Sequence, residues 1–98
     1  MKHLVTGSSG YIGSEIVKKL FSMGEDVIGI DIIEDLEISK KCNFFKVDIC
    51  NYDNLKSIPE LKSVKCVHHN AAMVPLTRSI KNFYKSNVEG TKNILKIC

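Results

Sequence analysis

Short apolar runs alternate along this chain with segments whose apolar residues recur at helical spacing. Four of these runs predict buried strands: residues 3–5, 26–30, 44–47 and 65–69. The predicted order is strand, helix, strand, loop, strand, helix, strand, helix. This alternation indicates an α/β fold, a doubly wound parallel sheet with helices on both faces. Right-handed crossovers then predict the strand order 3-2-1-4.

Residues that commonly begin or end helices occur in the segments between these strands. The first helix, whose apolar residues share one face, ends at Gly24. Residues 32–41 show no clear period and predict a loop with at most a short turn of helix. A short helix after the third strand is stopped by Pro59, and the last helix begins near Ile80. Gly90 lies inside that helix at a cost of about 1 kcal/mol relative to alanine, which indicates a closely packed neighbour.

A glycine-rich turn joins the first strand to the first helix, with the sequence Thr6-Gly7-Ser8-Ser9-Gly10-Tyr11-Ile12-Gly13. Gly7 can turn the chain, and Gly13 lets the helix lie close to the strand. Gly10 lets backbone amides approach a pyrophosphate, which the N–H groups near Tyr11 and Ile12 would face at the helix N-terminus. The spacing predicts a dinucleotide-binding turn, and a glycine-rich turn that binds nothing is the alternative.

Acidic and small residues follow the other predicted strands. Asp31 ends the second strand, about 20 residues after the turn, where a ribose-binding acid is expected. Gly7, Asp31, Asp48 and Ala71 all lie at carboxyl ends of strands, so a parallel sheet brings them to one edge. Asp48 alone is also explained as a turn residue or a helix cap. The carboxylate of Asp31 favours NAD over NADP, because it would repel a 2′-phosphate and the two isoleucines after it offer no cation.

With these motifs in this order, the chain resembles the extended short-chain dehydrogenases/reductases of the NAD-dependent epimerase/dehydratase family. Residues 67–72 resemble the family's Val-x-His-x-Ala-Ala strand end, and residues 87–93 resemble its Asn-x-x-Gly-Thr-x-Asn helix. The resemblance implies a Rossmann-type fold, NAD as the cofactor and adenine contacts from Asp48 and Ile49. The cofactor-binding residues it implies, together with the turn, are Gly7, Gly10, Tyr11, Ile12, Gly13, Asp31, Asp48, Ile49, Asn70, Ala71, Ala72 and Asn87.

The same resemblance implies the function of a longer protein. Residues 1–98 would be the N-terminal NAD-binding half-domain of a nucleotide-sugar epimerase or dehydratase, without the fifth strand and the substrate lobe. The family's Tyr-x-x-x-Lys pair is expected beyond Cys98, so no catalytic residue is predicted and the chain alone is expected to be inactive. Residues 52–56 match that pattern, but they are predicted across the sheet from the nicotinamide and are interpreted as a coincidence. The alternatives are another extended reductase or steroid-type dehydrogenase, a non-catalytic dinucleotide-binding module, and a truncated remnant.

Composition and charge narrow the remaining possibilities. With 98 residues, 44% hydrophobic and 26% charged, the chain is expected to form one globular domain. No apolar run is long enough for a transmembrane helix and no signal peptide is recognised, so a cytoplasmic protein is expected. The net charge of +3 is small and the lysines do not cluster, which argues against a nucleic-acid partner.

The cysteines and the fourth strand complete the sequence-based expectations. Cys42, Cys50, Cys66 and Cys98 stand too far apart for a Cys-x-x-Cys pair, so neither a metal site nor a disulfide framework is predicted. Cys66 is expected to be a small buried hydrophobic residue. The fourth strand would end the sheet with few charges, so the chain is expected either to self-associate through that edge or to belong to a longer chain.

Overall fold

The structure, a computed structural model, describes residues 1–70 and 80–97, with side chains from Glu89 onward in the second range. Its strands are β1 (Lys2–Thr6), β2 (Asp26–Asp31), β3 (Asn43–Lys46) and β4 (Cys66–His69). They form one parallel sheet in the order β3-β2-β1-β4, which confirms the predicted fold class and strand order. In this register Leu4 lies opposite Ile28 on one side and Val67 on the other.

Four α-helices connect or follow these strands: α1 (Tyr11–Ser22), α2 (Leu36–Ser39), α3 (Tyr52–Lys56) and α4 (Ile80–Ile97). α2 lies in the segment predicted as a loop with a short turn of helix, and the Asp35 carboxylate caps it. The Asn51 side chain caps α3 by accepting a hydrogen bond from the Asn54 amide. α3 ends before Pro59, which begins a 3-10 helix at Pro59–Ser63, since its fixed φ suits the first helical position.

Two hydrophobic clusters lie on opposite faces of the sheet. Successive strand residues alternate between the faces, so Leu4 enters one cluster and Val5 the other. One cluster joins the sheet to α3, the 3-10 helix and α4: Leu4, Ile28, Ile30, Ile49, Leu55, Ile58, Leu61 and Ile94. The other joins it to α1 and α2: Val5, Val17, Leu20, Val27 and Ile38. Helices therefore cover both faces, as a doubly wound sheet requires.

Gly90 brings α4 close to the segment after β3. A Cβ at Gly90 would lie 2.7 Å from Cγ1 of Ile49, so any larger residue would force that side chain to move. The Asn93 side-chain amide also donates to the Ile49 carbonyl at 2.8 Å. The closely packed neighbour predicted for Gly90 is therefore Ile49. None of the helices in the described ranges is both long enough and apolar enough to cross a membrane.

Candidate dinucleotide site

The glycine-rich turn leaves β1 through a left-handed residue. Gly7 has φ 67°, a conformation that disfavours any side chain with a Cβ. Its amide and that of Ser8 both donate to the Ile30 carbonyl, at 2.8 and 3.3 Å, which fixes the turn to the end of β2. The Gly10 amide then donates to the Gly7 carbonyl at 3.0 Å, so the turn closes on itself before α1 begins.

Gly13 and Gly10 are constrained to different degrees. A Cβ at Gly13 would lie 2.7 Å from the Gly7 carbonyl carbon and 3.2 Å from Cα of Ser8, so the first turn of α1 packs directly on the main chain. Gly10 has φ −78° and ψ 174°, which any residue adopts, and its Cβ would lie 3.3 Å from the Gly7 oxygen. The fold therefore requires glycine at position 13 more strictly than at position 10.

The N-terminus of α1 is open. Gly10 is its N-cap residue, no side chain of the described residues caps it, and no acidic residue lies in its first turn. Tyr11 and Ile12 expose 87% and 62% of their surface, so neither side chain is packed into the protein. A 12-residue helix with such a terminus presents unshielded N–H dipoles, which favour an anion.

Asp31 is held beside the turn by main-chain amides. One carboxylate oxygen accepts from the Ser9 amide at 2.9 Å, and the other accepts from Ile32 and Ile33 at 2.7 and 3.2 Å. The Ser9 hydroxyl donates to the Ile33 carbonyl at 2.7 Å and accepts from the Asp35 amide at 3.2 Å. Asp31 is therefore fixed in position by the turn itself, a role of Ser9 that sequence reasoning did not identify.

Asp48 lies at the same edge, and Ile49 is directed inward. The Val47 amide donates to the Asp31 carbonyl at 3.0 Å, and the Asp48 carboxylate accepts from the Cys50 amide at 2.9 Å. Ile49 is only 5% exposed and belongs to the core, so a ligand at this edge could contact only its main chain. An open hollow of about 430 Å³ lies next to these residues, lined by Asp48, Cys50, Asn51, Tyr52 and Asp53.

The carboxyl end of β4 is joined to β1 and α4 through a histidine. His69 forms hydrogen bonds with the hydroxyl of Thr6 at 2.7 Å and with that of Thr91 at 2.9 Å. Burial lowers the pKa of His69, which favours the neutral ring, in which one nitrogen donates a hydrogen bond and the other accepts one. The Asn70 amide also donates to the Thr6 hydroxyl at 3.0 Å. This link between three elements was not predicted, because Thr91 is brought to His69 only by the fold.

The predicted site residues divide into three groups. The turn, Asp31 and Asp48 are brought to the carboxyl edge of the sheet, and Asn70 follows β4 at the same edge. Asn87 lies within α4, but its side chain is outside those that the structure describes, and Ala71 and Ala72 lie outside the described residues. Residues 52–56, which match Tyr-x-x-x-Lys, form α3, where Lys96 lies over the Tyr52 ring, 5.0 Å from its centroid.

Proteins of known function are similar to this chain in sequence. UDP-glucuronate 4-epimerase of Thermodesulfobacterium geofontis is 32% identical, over 97% of this chain and 34% of the relative's own length. Sterol-4-alpha-carboxylate 3-dehydrogenase, decarboxylating, of Mus musculus is 34% identical, over 99% of this chain and 26% of that protein. The chain thus spans about a third or less of the curated relatives it matches.

A solved structure and a family model agree with these relatives. The crystal structure of Thermus thermophilus UDP-glucose 4-epimerase in complex with NAD matches with a TM-score of 0.87 and 29% identity. That match covers 100% of this chain and 33% of the epimerase. The model of the 3-beta hydroxysteroid dehydrogenase/isomerase family matches residues 4–98, nearly the whole sequence. The chain therefore belongs to the 3-beta hydroxysteroid dehydrogenase/isomerase family, among the extended short-chain dehydrogenases/reductases that its motifs predicted.

Proposed function

We propose that this chain binds NAD as the cofactor-binding part of a longer oxidoreductase of the nucleotide-sugar epimerase/dehydratase type. The observation that carries the proposal is the open N-terminus of α1, beside which the Ser9 amide holds the carboxylate of Asp31. A positive helix end next to a fixed acid suits a dinucleotide, because the first attracts a pyrophosphate and the second accepts from ribose hydroxyls.

Each part of the dinucleotide has a proposed place along the carboxyl edge of the sheet. The pyrophosphate would lie over the turn of Gly7, Gly10 and Gly13, facing the amides of Tyr11 and Ile12. The other contacts are the ribose at Asp31, the adenine at Asp48 and the main chain of Ile49, and the nicotinamide end at Asn70, Ala71, Ala72 and Asn87. When bound, NAD supplies a hydride acceptor, whereas these residues bind and orient it.

The choice of NAD over NADP rests on the charge at the ribose position. Three main-chain amides hold the Asp31 carboxylate in place, so this side chain cannot easily turn away from a 2′-phosphate. Ile32 and Ile33 follow it with 59% and 66% of their surface exposed, and neither can neutralise a phosphate. Repulsion is added to the loss of the hydroxyl hydrogen bonds, so NADP should bind more weakly.

The nucleotide-sugar substrate is proposed from the relatives and not from the site. UDP-glucuronate 4-epimerase shares 32% identity with the chain, and the matched crystal structure is a UDP-glucose 4-epimerase with NAD. Since the chain spans about a third of these proteins, the catalytic Tyr-x-x-x-Lys pair and the substrate lobe would belong to the remainder. We therefore propose no proton transfer to or from the sugar by residues 1–98.

Calorimetric titration with NAD and NADP tests the cofactor proposal. We expect NAD to bind at least about tenfold more tightly than NADP, a difference of about 1.4 kcal/mol. Gly10→Val should abolish binding with a modest effect on folding, because position 10 has an ordinary backbone conformation and its side chain would meet the pyrophosphate. Asp31→Ala should narrow the preference for NAD over NADP. Lys41→Ala, on another part of the surface, should change neither the affinity for NAD nor this preference. Equal affinities for both cofactors, or unaltered binding by Gly10→Val, would contradict the proposal.

A steroid-type dehydrogenase is the second candidate function. The family model carries a 3-beta hydroxysteroid dehydrogenase/isomerase name, and the sterol dehydrogenase of Mus musculus is 34% identical. The two candidates differ in whether NADH accumulates, since an epimerase returns the hydride that it removes. Incubating the full-length protein with NAD and either UDP-glucose or a 3β-hydroxysteroid separates them. Sugar epimerisation without net NADH supports the first function, and steroid-dependent NADH formation supports the second.

A further inference from the structure

Three metal-binding side chains meet at the amino end of the β1–β4 pair: His3, Cys66 and His68. His3 lies directly opposite Cys66 in the parallel register, and His68 follows Cys66 by two residues. Because side chains alternate along a strand, all three project from the same face of the sheet. His3 is buried, with 8% of its surface exposed, and the other two residues are half-buried, so Cys66 is less buried than predicted.

Two of the three distances within this His3–Cys66–His68 cluster are close to those between the ligands of one metal ion. Nδ1 of His3 lies 3.1 Å from Nε2 of His68, and Sγ of Cys66 lies 3.6 Å from the same Nε2. The three ligand atoms lie within 4.8 Å of one another. With Zn–N of about 2.0–2.1 Å and Zn–S of about 2.3 Å, a tetrahedral site separates two nitrogens by about 3.3 Å and a nitrogen from a sulfur by about 3.6 Å.

The second nitrogen of His3 supports a ligand role for the first. Nε2 of His3 is buried and has no hydrogen-bond partner among the described residues. A carboxylate oxygen of Glu25 lies 3.9 Å from this nitrogen. Metal-ligating histidines commonly direct their other ring N–H to a carboxylate, which orients the ring and fixes its tautomer. Binding through Nδ1 would place the proton on Nε2, facing Glu25.

We propose that His3, Cys66 and His68 bind a zinc(II) ion, with water in the fourth position and Glu25 orienting His3. Two imidazoles and a thiolate form a ligand set that zinc accepts readily. The site lies away from the glycine-rich turn and ties β1 to β4, so its role is structural. It does not depend on the proposed binding of NAD.

Metal analysis and cobalt substitution test the site on the purified, untagged protein. After dialysis against excess zinc and then against metal-free buffer, elemental analysis should find about one zinc per chain. Co²⁺ added to metal-free protein should give the visible bands of a tetrahedral site together with a thiolate-to-cobalt charge-transfer band. Absence of retained zinc, or a cobalt spectrum without the thiolate band, would overturn the proposal.

Substitutions identify the ligands and separate them from general effects on folding. Cys66→Ser should weaken zinc binding at least about a hundredfold, whereas Cys50→Ser, at another half-buried cysteine, should leave it unchanged. Glu25→Gln should weaken binding by about tenfold, as expected for a residue that positions a ligand. Circular dichroism of metal-free samples checks that each variant is folded, and His68→Gln supplies a second ligand variant. The proposal is wrong if Cys66→Ser binds zinc as tightly as Cys50→Ser, or if His68→Gln binds it as tightly as the parent. The three side chains would then only pack against one another.

Discussion

The two ends of β1 carry polar groups that are held in different ways. At the carboxyl end most contacts come from the main chain: the amides of Gly7 and Ser8 bind the Ile30 carbonyl, and further amides hold Asp31. At the amino end, His3 meets residues of β4 through side chains. The first arrangement therefore depends on backbone shape and the second on side-chain chemistry. A change of shape should damage the first far more than an exchange of side chains damages the second.

Gly13→Ala is expected to have the largest effect on stability. Alanine normally stabilises a helix relative to glycine by about 1 kcal/mol, but the added Cβ would lie 2.7 Å from the Gly7 carbonyl carbon. Main-chain atoms cannot move aside as a flexible side chain can, so the turn and α1 must separate. We expect a net destabilisation of about 3 kcal/mol, measured by urea unfolding.

The exposed face of the same helix offers a control for Gly13→Ala. Lys18→Ala removes a side chain whose contact with Glu15, at 3.4 Å, is a surface ion pair and should change stability by less than about 0.5 kcal/mol. A loss of less than about 1 kcal/mol in Gly13→Ala would mean that the turn tolerates a side chain. The carboxyl end would then be less dependent on backbone shape than its geometry indicates.

His69→Leu tests the contact between side chains that joins β1, β4 and α4 at the carboxyl end, and it should have an intermediate effect. Leucine removes both hydrogen bonds, so the hydroxyls of Thr6 and Thr91 each lose one partner in a partly buried site. We expect a loss of about 2 kcal/mol of unfolding free energy. Hydrogen exchange should quicken in the last turns of α4 more than in β2, because Thr91 belongs to that helix. Uniform exchange rates would show that His69 does not hold α4 against the sheet.

Local patterns account for what could be predicted from the sequence. The strands are short apolar runs, and the glycine spacing 7, 10, 13 encodes the turn in consecutive residues. Gly90 indicated a close neighbour because glycine inside a helix is costly without one. The identity of that neighbour, Ile49, depends on how α4 crosses the sheet, which no local pattern specifies. Ile49 was expected at the cofactor, yet its side chain lies in the core.

Contacts between distant residues account for what could not be predicted. The main-chain bonds of Asp31 depend on the path of residues 32–35, a segment without any periodic pattern. His3 and His68 stand 65 residues apart, and their contact depends on the register of β1 with β4. The spacing of the cysteines carries no information about Cys66 and His3, which become neighbours only when β1 pairs with β4. The signal in the sequence is that His3 and His68 lie on two strands predicted to be neighbours in the sheet.

The His3 and His68 pair provides the smallest expected effect and the sharpest contrast with Gly13. With zinc removed by a chelator, His3→Val or His68→Val alone should cost about 1–2 kcal/mol, because each leaves the partner's ring nitrogen without its 3.1 Å hydrogen bond. The double variant should lie within about 0.5 kcal/mol of the parent, since two valines on neighbouring strands remove both polar groups and suit a half-buried sheet face. A double-mutant cycle by urea unfolding measures this difference.

Added zinc should raise the stability of the parent and leave that of the double variant unchanged, because binding to the folded state alone stabilises it. A double variant that is less stable than either single one would show that the amino end of β1 needs these two histidines for folding, and the contrast between the two ends would be wrong.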